Sequence, residues 1–433
     1  MRTPIDQNRH PPTQPKAIVL GLGHPRSYAT IRSLAKAGVP VVAVHHQHRV
    51  HAHSRYLAAA LRFSANPDEQ LVFLERLGEE EGALLFPTND EYLVLVSKNI
   101  ARLSRRFILS TPPWEILRHL MEKTRCYKIA QEAGVRTPTF YRPRDSGELN
   151  EIVRRLDLRE CQYILKTDVT TVPADARTRR FSKAAGSDAA SIAVNCLEIF
   201  SRLGEFPIIE EVVPGRADRC IGVHMVVDRN HEPLMTFCVR RLKLSTYSTG
   251  GQFIHPYDAG ANVYCESVHD DEAAEAARRF VRRAEYYGPI TVEFRRDPRN
   301  ETLTFIKADP RVVRATGLST ALGLDIPTAV YRLFTGQAVR VPNSYPDGVA
   351  WLWPTAYLTT LWRNRSNRSL LRELATLLRS FRRIKAFAQG DIRDPMPLVA
   401  AAGRMVGRRL ARRMIRRRAS RYPTPGQPEI PQG

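Results

Sequence analysis

Two acidic residues in the stretch from Gly288 to Asp309 are spaced so that their carboxylates could bind one metal ion. The stretch contains two apolar runs around a Pro-Arg-Asn turn, which predicts a β-hairpin. Side chains alternate between the two faces of a strand, which puts Glu293 on one face of the first strand. The same alternation predicts that Phe305, Lys307 and Asp309 share one face of the second strand. Glu293 and Asp309 could therefore converge on Mg²⁺, which takes one or two carboxylates together with nucleotide phosphates. A hairpin whose charged residues are solvated explains the same spacing equally well.

A lysine at the end of an apolar strand is the second chemical feature. Residues 162–166 predict a strand that ends at Lys166. The strand would hold the ammonium group in a fixed position, which suits the binding of phosphate oxygens. Residues 167–187, which include Lys183, are rich in Thr, Ala, Arg, Ser and Gly and predict a long loop.

A further apolar strand is predicted between Phe206 and Val213. Such a strand can sandwich a flat base and offer it backbone donors and acceptors. It could equally be an ordinary core strand, with the two acids Glu210 and Glu211 in solvent. Asp218 follows at a position suited to ribose hydroxyls or to a basic substrate group.

The 433-residue chain is long enough for two to four packed domains, and its formal net charge is +22. Nine arginines and no acidic residue lie between Arg404 and Arg421. This balance favours anionic partners such as nucleotides, acidic substrates, nucleic acid or lipid headgroups, without choosing among them. The six cysteines include no C-x-x-C pair, which argues against a zinc site or a disulfide framework and fits a reducing cytosol.

The sequence predicts no membrane-spanning segment. The first residues are polar and proline-rich, so we expect a loose tail and no signal peptide. No apolar run reaches the length of about 18 residues that a transmembrane helix needs.

The N-terminal region predicts a parallel sheet. A strand at 17–21, a helix to Lys36 and a strand at 41–44 form a βαβ pattern, and further strands are predicted at 83–86 and 107–109. A dinucleotide fingerprint would need a third glycine where Arg26 stands. The glycines before it therefore favour a tight turn, followed by a helix N-terminus that could hold an anion.

Five histidines follow the second predicted strand, at His45, His46, His48, His51 and His53. No companion cysteine or acid lies nearby, and no His-x₃-His pair falls on an evident helix. A solvated loop is therefore favoured over a metal site.

These motifs, in this order, resemble those of the ATP-grasp enzymes. Val-Glu-Phe at 292–294 and Asp-Pro-Arg at 309–311 are similar to the family's metal-binding hairpin. Lys307 departs from that pattern, because the family has a metal-bridging Glu there. The resemblance extends over roughly residues 17–337 and includes the run Pro-Thr-Asn-Asp-Glu at 87–91.

The resemblance implies a role for each candidate residue, with ATP and Mg²⁺ as cofactors. Phosphates would be bound by Lys123, Lys166 and Lys183, the last in a loop that covers them. The base and ribose would be held by Glu210, Glu211, Val212, Val213 and Asp218. The metal would be bound by Glu293 and Asp309, and Arg311 would steady the transferred phosphoryl group or the carboxylate. Lys307, which departs from the family pattern, could replace one metal ion and hold phosphate directly, or it could mark the loss of phosphoryl transfer. Substrate carboxylates would be held by the basic run Arg240, Arg241 and Lys243, which could otherwise be a solvated strand end.

The expected fold is α/β, with a parallel-sheet N-terminal (pre-ATP-grasp) domain, a two-lobed ATP-grasp fold and a C-terminal helical tail. The predicted bounds are 1–15 for a disordered tail, 16–112 for the N-terminal domain, 113–340 for the ATP-grasp domain and 341–433 for the helical extension with its basic tail. Apolar residues spaced by four from Leu398 to Met414 face arginines there. This pattern predicts docking on anionic lipid or packing on the body of the protein.

The family resemblance implies an ATP-dependent carboxylate–amine ligase, which converts a small carboxylate to an acyl phosphate that an amine attacks. A catalytically lapsed nucleotide-binding regulator or scaffold is the first alternative, and a basic nucleic-acid-binding protein is the second. The second is disfavoured because the arginine tail has little aromatic interleaving for base stacking. We expect a cytoplasmic protein, with peripheral contact to the inner membrane face as a further option.

Overall fold

A computed structural model describes residues 14–46, 50–78, 83–168, 182–246, 260–363, 380–388 and 393–397, and single positions at 377, 399, 400 and 403. Most of the predicted N-terminal tail and the arginine-rich tail after Arg404 lie outside the described residues. The same is true of most of the long loop after Lys166 and of the glycine-containing loop after Thr246.

The N-terminal region forms a parallel five-stranded sheet with the order β3-β2-β1-β4-β5. Its strands are β1 (Ala17–Leu20), β2 (Val41–His45), β3 (Ala59–Arg62), β4 (Ala83–Pro87) and β5 (Phe107–Leu109). Its helices are α1 (Pro25–Lys36), α2 (Pro67–Leu77), α3 (Asp90–Lys98) and α4 (Ile100–Leu103). The predicted parallel sheet is confirmed, and the region also contains one strand, β3, and one helix, α2, that the sequence patterns do not predict.

Two helices lead from this sheet into a small antiparallel sheet with the order β6-β9-β7-β8. The helices are α5 (Trp114–Met121) and α6 (Lys123–Glu132). The small lobe contains β6 (Phe140–Tyr141), α7 (Ser146–Arg155), β7 (Tyr163–Lys166), β8 (Ser182–Ala184), α8 (Ala189–Leu203) and β9 (Ile208–Glu211). Lys166 therefore ends a central strand of this sheet, as predicted.

The large lobe is built on a seven-stranded sheet with the order β14-β13-β10-β11-β12-β15-β16. Its strands are β10 (Cys220–Val227), β11 (Pro233–Thr246), β12 (Gly260–Val268), β13 (Gly288–Arg296), β14 (Leu303–Asp309), β15 (Ala350–Leu352) and β16 (Ile384–Phe387). Its helices are α9 (Asp271–Arg283), α10 (Thr316–Ala321), α11 (Ile326–Phe334) and α12 (Pro354–Arg363). The predicted hairpin is confirmed as β13 and β14, which pair antiparallel.

A β-bulge corrects one prediction for this hairpin. Glu293 pairs with Lys307, but its neighbour Phe294 pairs with Phe305, so Ile306 is the extra residue of the second strand. A bulge places two residues opposite one and reverses the facing of the residues beyond it. Phe305 therefore packs in the apolar core with Phe294, on the face opposite Lys307, and the predicted shared face is wrong at this position.

The N-terminal sheet and the large sheet share one apolar core. Val19 and Ile31 of the N-terminal region pack in the same cluster as Phe237 of β11, Leu318 of α10 and Trp351 of β15, all of them fully or nearly fully buried. Burial of a large apolar side chain contributes about 2 kcal/mol. This shared core fixes the N-terminal sheet against the large lobe.

The C-terminal region contains more than helices. In its described part, β15 and β16 extend the large sheet beside the helix α12. Asp394 ties this region to the N-terminal domain, because its buried carboxylate accepts hydrogen bonds from the Tyr28 hydroxyl (3.1 Å), the Ser54 hydroxyl (2.5 Å) and the Arg55 N–H (3.1 Å). None of the helices in the described part is both long and apolar enough to cross a membrane.

Replacing Asp394 with alanine should lower the free energy of unfolding by about 3 kcal/mol, because the change leaves a buried Tyr28 hydroxyl without its charged acceptor. Chemical denaturation followed by circular dichroism measures the difference. Asp347→Ala is the control, because the Asp347 carboxylate is 60% exposed and pairs only with His269 among the described residues. Equal stability of both variants would contradict a structural role for Asp394.

Candidate functional site

The two predicted metal ligands lie on one face of the hairpin with a lysine between them. Glu293 stands opposite Lys307, and Thr291 stands opposite Asp309. The Lys307 Nζ lies 2.8 Å from Asp309 Oδ2 and 3.5 Å from Glu293 Oε2. The lysine therefore bridges the carboxylates, in the position that a bridging cation would take.

Two arginines complete the charge balance around these carboxylates. Arg241 of β11 forms an ion pair with Glu293 Oε1. Arg311 donates to Asp309 Oδ1 at 3.2 Å and to Asp90 Oδ1 at 2.5 Å. All four oxygens of Glu293 and Asp309 therefore face a cationic side chain.

This network keeps both carboxylates ionised. Burial alone would raise the pKa of Glu293, but Arg241 and Lys307 hold it below its ordinary value. Burial also opposes ionisation of Asp309, yet Lys307 and Arg311 lower its pKa strongly. The pKa of Arg311 is raised, since the attraction of Asp90 and Asp309 outweighs burial.

Lys166, the lysine predicted to bind phosphate, connects the small sheet to the hairpin through a buried tyrosine. Lys166 forms an ion pair with Glu210, whose Oε2 accepts a hydrogen bond of 2.8 Å from the Tyr127 hydroxyl. The same hydroxyl lies 3.2 Å from the carbonyl oxygen of Ile306, the bulge residue next to Lys307. Sequence reasoning missed Tyr127, although it stands one helical turn after Lys123, where a shared helix face is expected.

A second missed residue, Asp168, anchors the start of α6. Its carboxylate accepts hydrogen bonds from the Thr124 N–H (2.9 Å), from the Thr124 hydroxyl and from Arg142 (2.7 Å). Asp168 follows Lys166 by two residues, so it fixes the first turn of α6, where Lys123 stands, close to the end of β7. The structure thus places Lys123, at the start of α6, near Lys166, at the end of β7.

The residues predicted to hold a base lie at the end of β9. Glu211 binds Arg299 at 3.1 Å, and the Val212 N–H donates to the Gln162 carbonyl at 2.8 Å. The Val213 carbonyl accepts a bond of 3.0 Å from Arg295. The Val212 N–H therefore already donates a hydrogen bond within the small lobe. Asp218 lies exposed in the short 3₁₀ helix Ala217–Arg219.

The predicted substrate residues contact different partners. Strand β11 continues through all three, and Arg240 and Arg241 point to opposite faces because neighbouring residues alternate. Arg240 binds Glu266 at 2.5 Å, and the Lys243 ammonium lies 5.7 Å from the centre of the Tyr357 ring. Among the three, Arg241 is the residue that the structure brings to the carboxylate pair.

The backbone of Lys183, in β8, pairs with that of Leu165 in β7. The side chain of Lys183 lies outside the described part of the structure. In the histidine cluster, His45 is buried at the end of β2, and His46 Nδ1 lies 2.5 Å from the Tyr92 hydroxyl. No group of three or more His, Cys, Asp or Glu side chains able to hold a metal occurs in the described residues.

A buried histidine lies beneath the carboxylates. His224 of β10 stacks on Phe237 with ring centres 4.8 Å apart, and its Nδ1 lies 3.2 Å from the Thr291 hydroxyl. Burial lowers the pKa of His224 to about 4, although Glu293 opposes the shift. The imidazole is therefore neutral at physiological pH.

The free energy of unfolding should fall as the pH drops from 6.5 to 4.5, because His224 binds a proton in the unfolded chain but not in the folded chain. The expected loss from this site is roughly 2 to 3 kcal/mol. Denaturant titrations at several pH values should show this loss in the wild type and a much flatter profile in His224→Gln. The exposed control His53→Gln should keep the wild-type slope. The same slope in His224→Gln would contradict a neutral buried imidazole.

No protein-family model matches the sequence, and no curated protein matches it. Solved structures nonetheless share its architecture. Biotin carboxylase from Campylobacter jejuni, in a complex with a β,γ-ATP, aligns with a TM-score of 0.58 at 15% identity, over 77% of this chain and 74% of that one. The biotin carboxylase domain of 2-oxoglutarate carboxylase from Hydrogenobacter thermophilus, with MgADP and bicarbonate, gives 0.55 at 15% identity, over 75% and 71%.

N5-carboxyaminoimidazole synthetase from Staphylococcus aureus, in its complex with ADP, aligns with a TM-score of 0.55 at 13% identity, over 77% of this chain and 80% of that one. At sequence identities this low, the structural likeness is evidence for the fold and not for the activity. These alignments cover about three quarters of this chain, and this chain has the ATP-grasp fold.

Proposed function

We propose that this protein binds ATP between its small and large sheets and joins a carboxylate to an amine through an acyl phosphate. The observation that supports this most is the buried connection from Lys166 through Glu210, Tyr127 and Ile306 to Lys307. It fixes a phosphate-binding lysine of one lobe relative to the carboxylate pair of the other. A phosphoryl-transfer site needs this positioning more than it needs a protein nucleophile.

In the proposed reaction, a carboxylate oxygen of the substrate attacks the terminal phosphorus of ATP, and ADP leaves. The amine nitrogen then attacks the carbonyl carbon, and phosphate leaves as the amide forms. Lys123 and Lys166 would neutralise charge on the phosphates, and Arg311 would steady the transferred group. Val213 and Glu211, at the end of β9, would contact the base. The small carboxylate and amine are the partners of this proposal.

The carboxylate pair fits one Mg²⁺ better than two. Its donors are oxygens, which Mg²⁺ prefers. Lys307, however, lies between Glu293 and Asp309 within 3.5 Å of both, where a second divalent ion would meet a positive charge. Glu293 and Asp309 would hold the ion, which neutralises phosphate charge when bound, and Lys307 would take the place of the other cation.

A lapsed enzyme that only binds nucleotide is the second candidate function. Lys307 is the observation that favours it, because a cation that blocks a required second metal would abolish phosphoryl transfer. The nucleic-acid and membrane-surface alternatives depend on the arginine tail after Arg404, which lies outside the described residues, and both stay predictions.

Mg-ATP should raise the melting temperature of the wild type but not of Lys166→Ala, because that change removes the proposed phosphate contact. Thermal-shift titration measures the effect. The exposed control Lys128→Ala, on α6, should respond like the wild type. Absence of a shift with any adenine nucleotide in the wild type would reject nucleotide binding.

Lys307→Glu should raise the number of divalent ions bound in the ADP complex from one to two, because it exchanges a positive charge for a carboxylate beside Glu293 and Asp309. Mn²⁺ titration with and without nucleotide gives the stoichiometry, and ATP turnover with carboxylate and amine panels gives the activity. Lys307→Gln separates loss of the cation from gain of a ligand. Two ions in the wild type would refute the substitution, and an inactive wild type revived by Lys307→Glu would identify a lapsed enzyme.

A further inference from the structure

Arg26 is a buried cation that the proposed reaction leaves unused. It is the second residue of α1, and only 6% of it is exposed. Its Nε makes no hydrogen bond, and within the described residues no carboxylate forms an ion pair with its guanidinium. A buried charge without a partner is costly, so such groups are normally paired with an acid or a ligand.

The N-terminus of α1 adds positive potential at the same place. The preceding residue, His24, makes no side-chain capping bond, and the first turn of the helix has no acidic residue. Backbone N–H groups at a helix start, together with the helix dipole, favour an anion. The 12-residue helix thus presents an end that no acidic side chain of its first turn neutralises.

The loop before α1 is held rigidly at the edge of the sheet where ligands of open α/β sheets bind. Strands β1 and β4 lie side by side at the centre of the order β3-β2-β1-β4-β5, where the strand order reverses direction. The Thr88 hydroxyl donates to the Leu20 carbonyl at 2.7 Å and lies 2.9 Å from the Ser27 hydroxyl. Gly21 has φ +102°, and a Cβ there would lie 3.0 Å from Thr88 Oγ1, so the turn is preorganised.

The charges around Arg26 leave an excess of cations. Burial and the charges of Arg311 and Arg314 lower the pKa of Arg26, while Asp90 and Asp309 oppose them. Both aspartates already bind Arg311. Arg311 therefore connects the surroundings of Arg26 to the carboxylate pair of the hairpin.

We propose that the crevice formed by Arg26, the N-terminus of α1 and the loops after β1 and β4 binds an anionic group of the substrate that does not react. The group is a carboxylate or a phosphate. This inference rests on the proposed function and narrows its substrate class: the molecule carries a second anion beside the carboxylate that is phosphorylated. Arg240 and Lys243, predicted for this task, are engaged elsewhere, and Arg241 neutralises Glu293.

The test uses the full-length protein saturated with Mg-ADP, so that the nucleotide phosphate positions are filled. Inorganic phosphate and glutarate are titrated separately while the melting temperature is recorded, and the arm that stabilises the wild type identifies the anion. Arg26→Met should bind that anion roughly ten- to a hundredfold more weakly. Without anion it should melt at a higher temperature than the wild type, because a buried unpaired charge is gone.

Lys36→Met is the matched control, since it removes one positive charge from the other end of the same helix and should keep the wild-type affinity. Arg26→Lys, which keeps the charge without the planar fork, should bind with intermediate affinity and covers the case in which Arg26→Met fails to fold. The proposal is overturned if a folded Arg26→Met keeps the anion response, if Arg26→Lys binds the anion with the affinity of the wild type, or if neither anion stabilises the wild type. The shift with Mg-ADP alone tests nucleotide binding separately.

Discussion

The charge network around Glu293 and Asp309 is the interaction on which the site depends. Buried carboxylates persist only when cations and hydrogen bonds replace the water they lose, and removing one partner of a buried pair costs about 3 to 5 kcal/mol. The partners here come from different elements: Arg241 lies on β11, Lys307 on β14, and Arg311 follows β14. Strands β11, β13 and β14 of the large sheet are thus held in one arrangement by charge as well as by backbone pairing. Arg311 extends the network to Asp90 of the N-terminal domain.

The bulge at Ile306 makes this network compatible with an apolar core. Strict alternation would put Phe305 and Lys307 on one face, and either the aromatic ring would be exposed or the ammonium would be buried among apolar residues. The extra residue lets Phe305 pack on Phe280 of α9 while Lys307 faces the carboxylates. The carbonyl oxygen of Ile306 then accepts a hydrogen bond from Tyr127. One backbone irregularity therefore serves the core, the charged face and the contact with the small lobe.

Local patterns predicted the elements but not how they combine. Glu293, Asp309 and Lys166 were identifiable because apolar alternation marks their strands and the turns that end them. The bulge was not, because it depends on which side chains pack on each face and not on the spacing of the residues. Arg240 and Arg241 were grouped by adjacency, although a strand that continues through them sends them to opposite faces. Asp90 and Arg311 are 221 positions apart in the chain, and the packing of the N-terminal sheet on the large lobe brings them together.

The three cations of the network are not equivalent. The side chain of Lys307 is 42% exposed, while those of Arg241 and Arg311 are 17% and 10% exposed. An exposed ammonium on a flexible stem exchanges partners at little cost in hydration, whereas a buried guanidinium held by two acids does not. Incoming phosphate oxygens would therefore compete for Lys307 first and leave the arginine pairs intact. Transfer of Lys307 from the carboxylates to phosphate would free oxygens of Glu293 and Asp309 at the moment when a nucleotide-borne Mg²⁺ arrives. Under the proposed function, a lysine at this position is compatible with a working site, because the side chain that would exclude a second ion would also make room for the first.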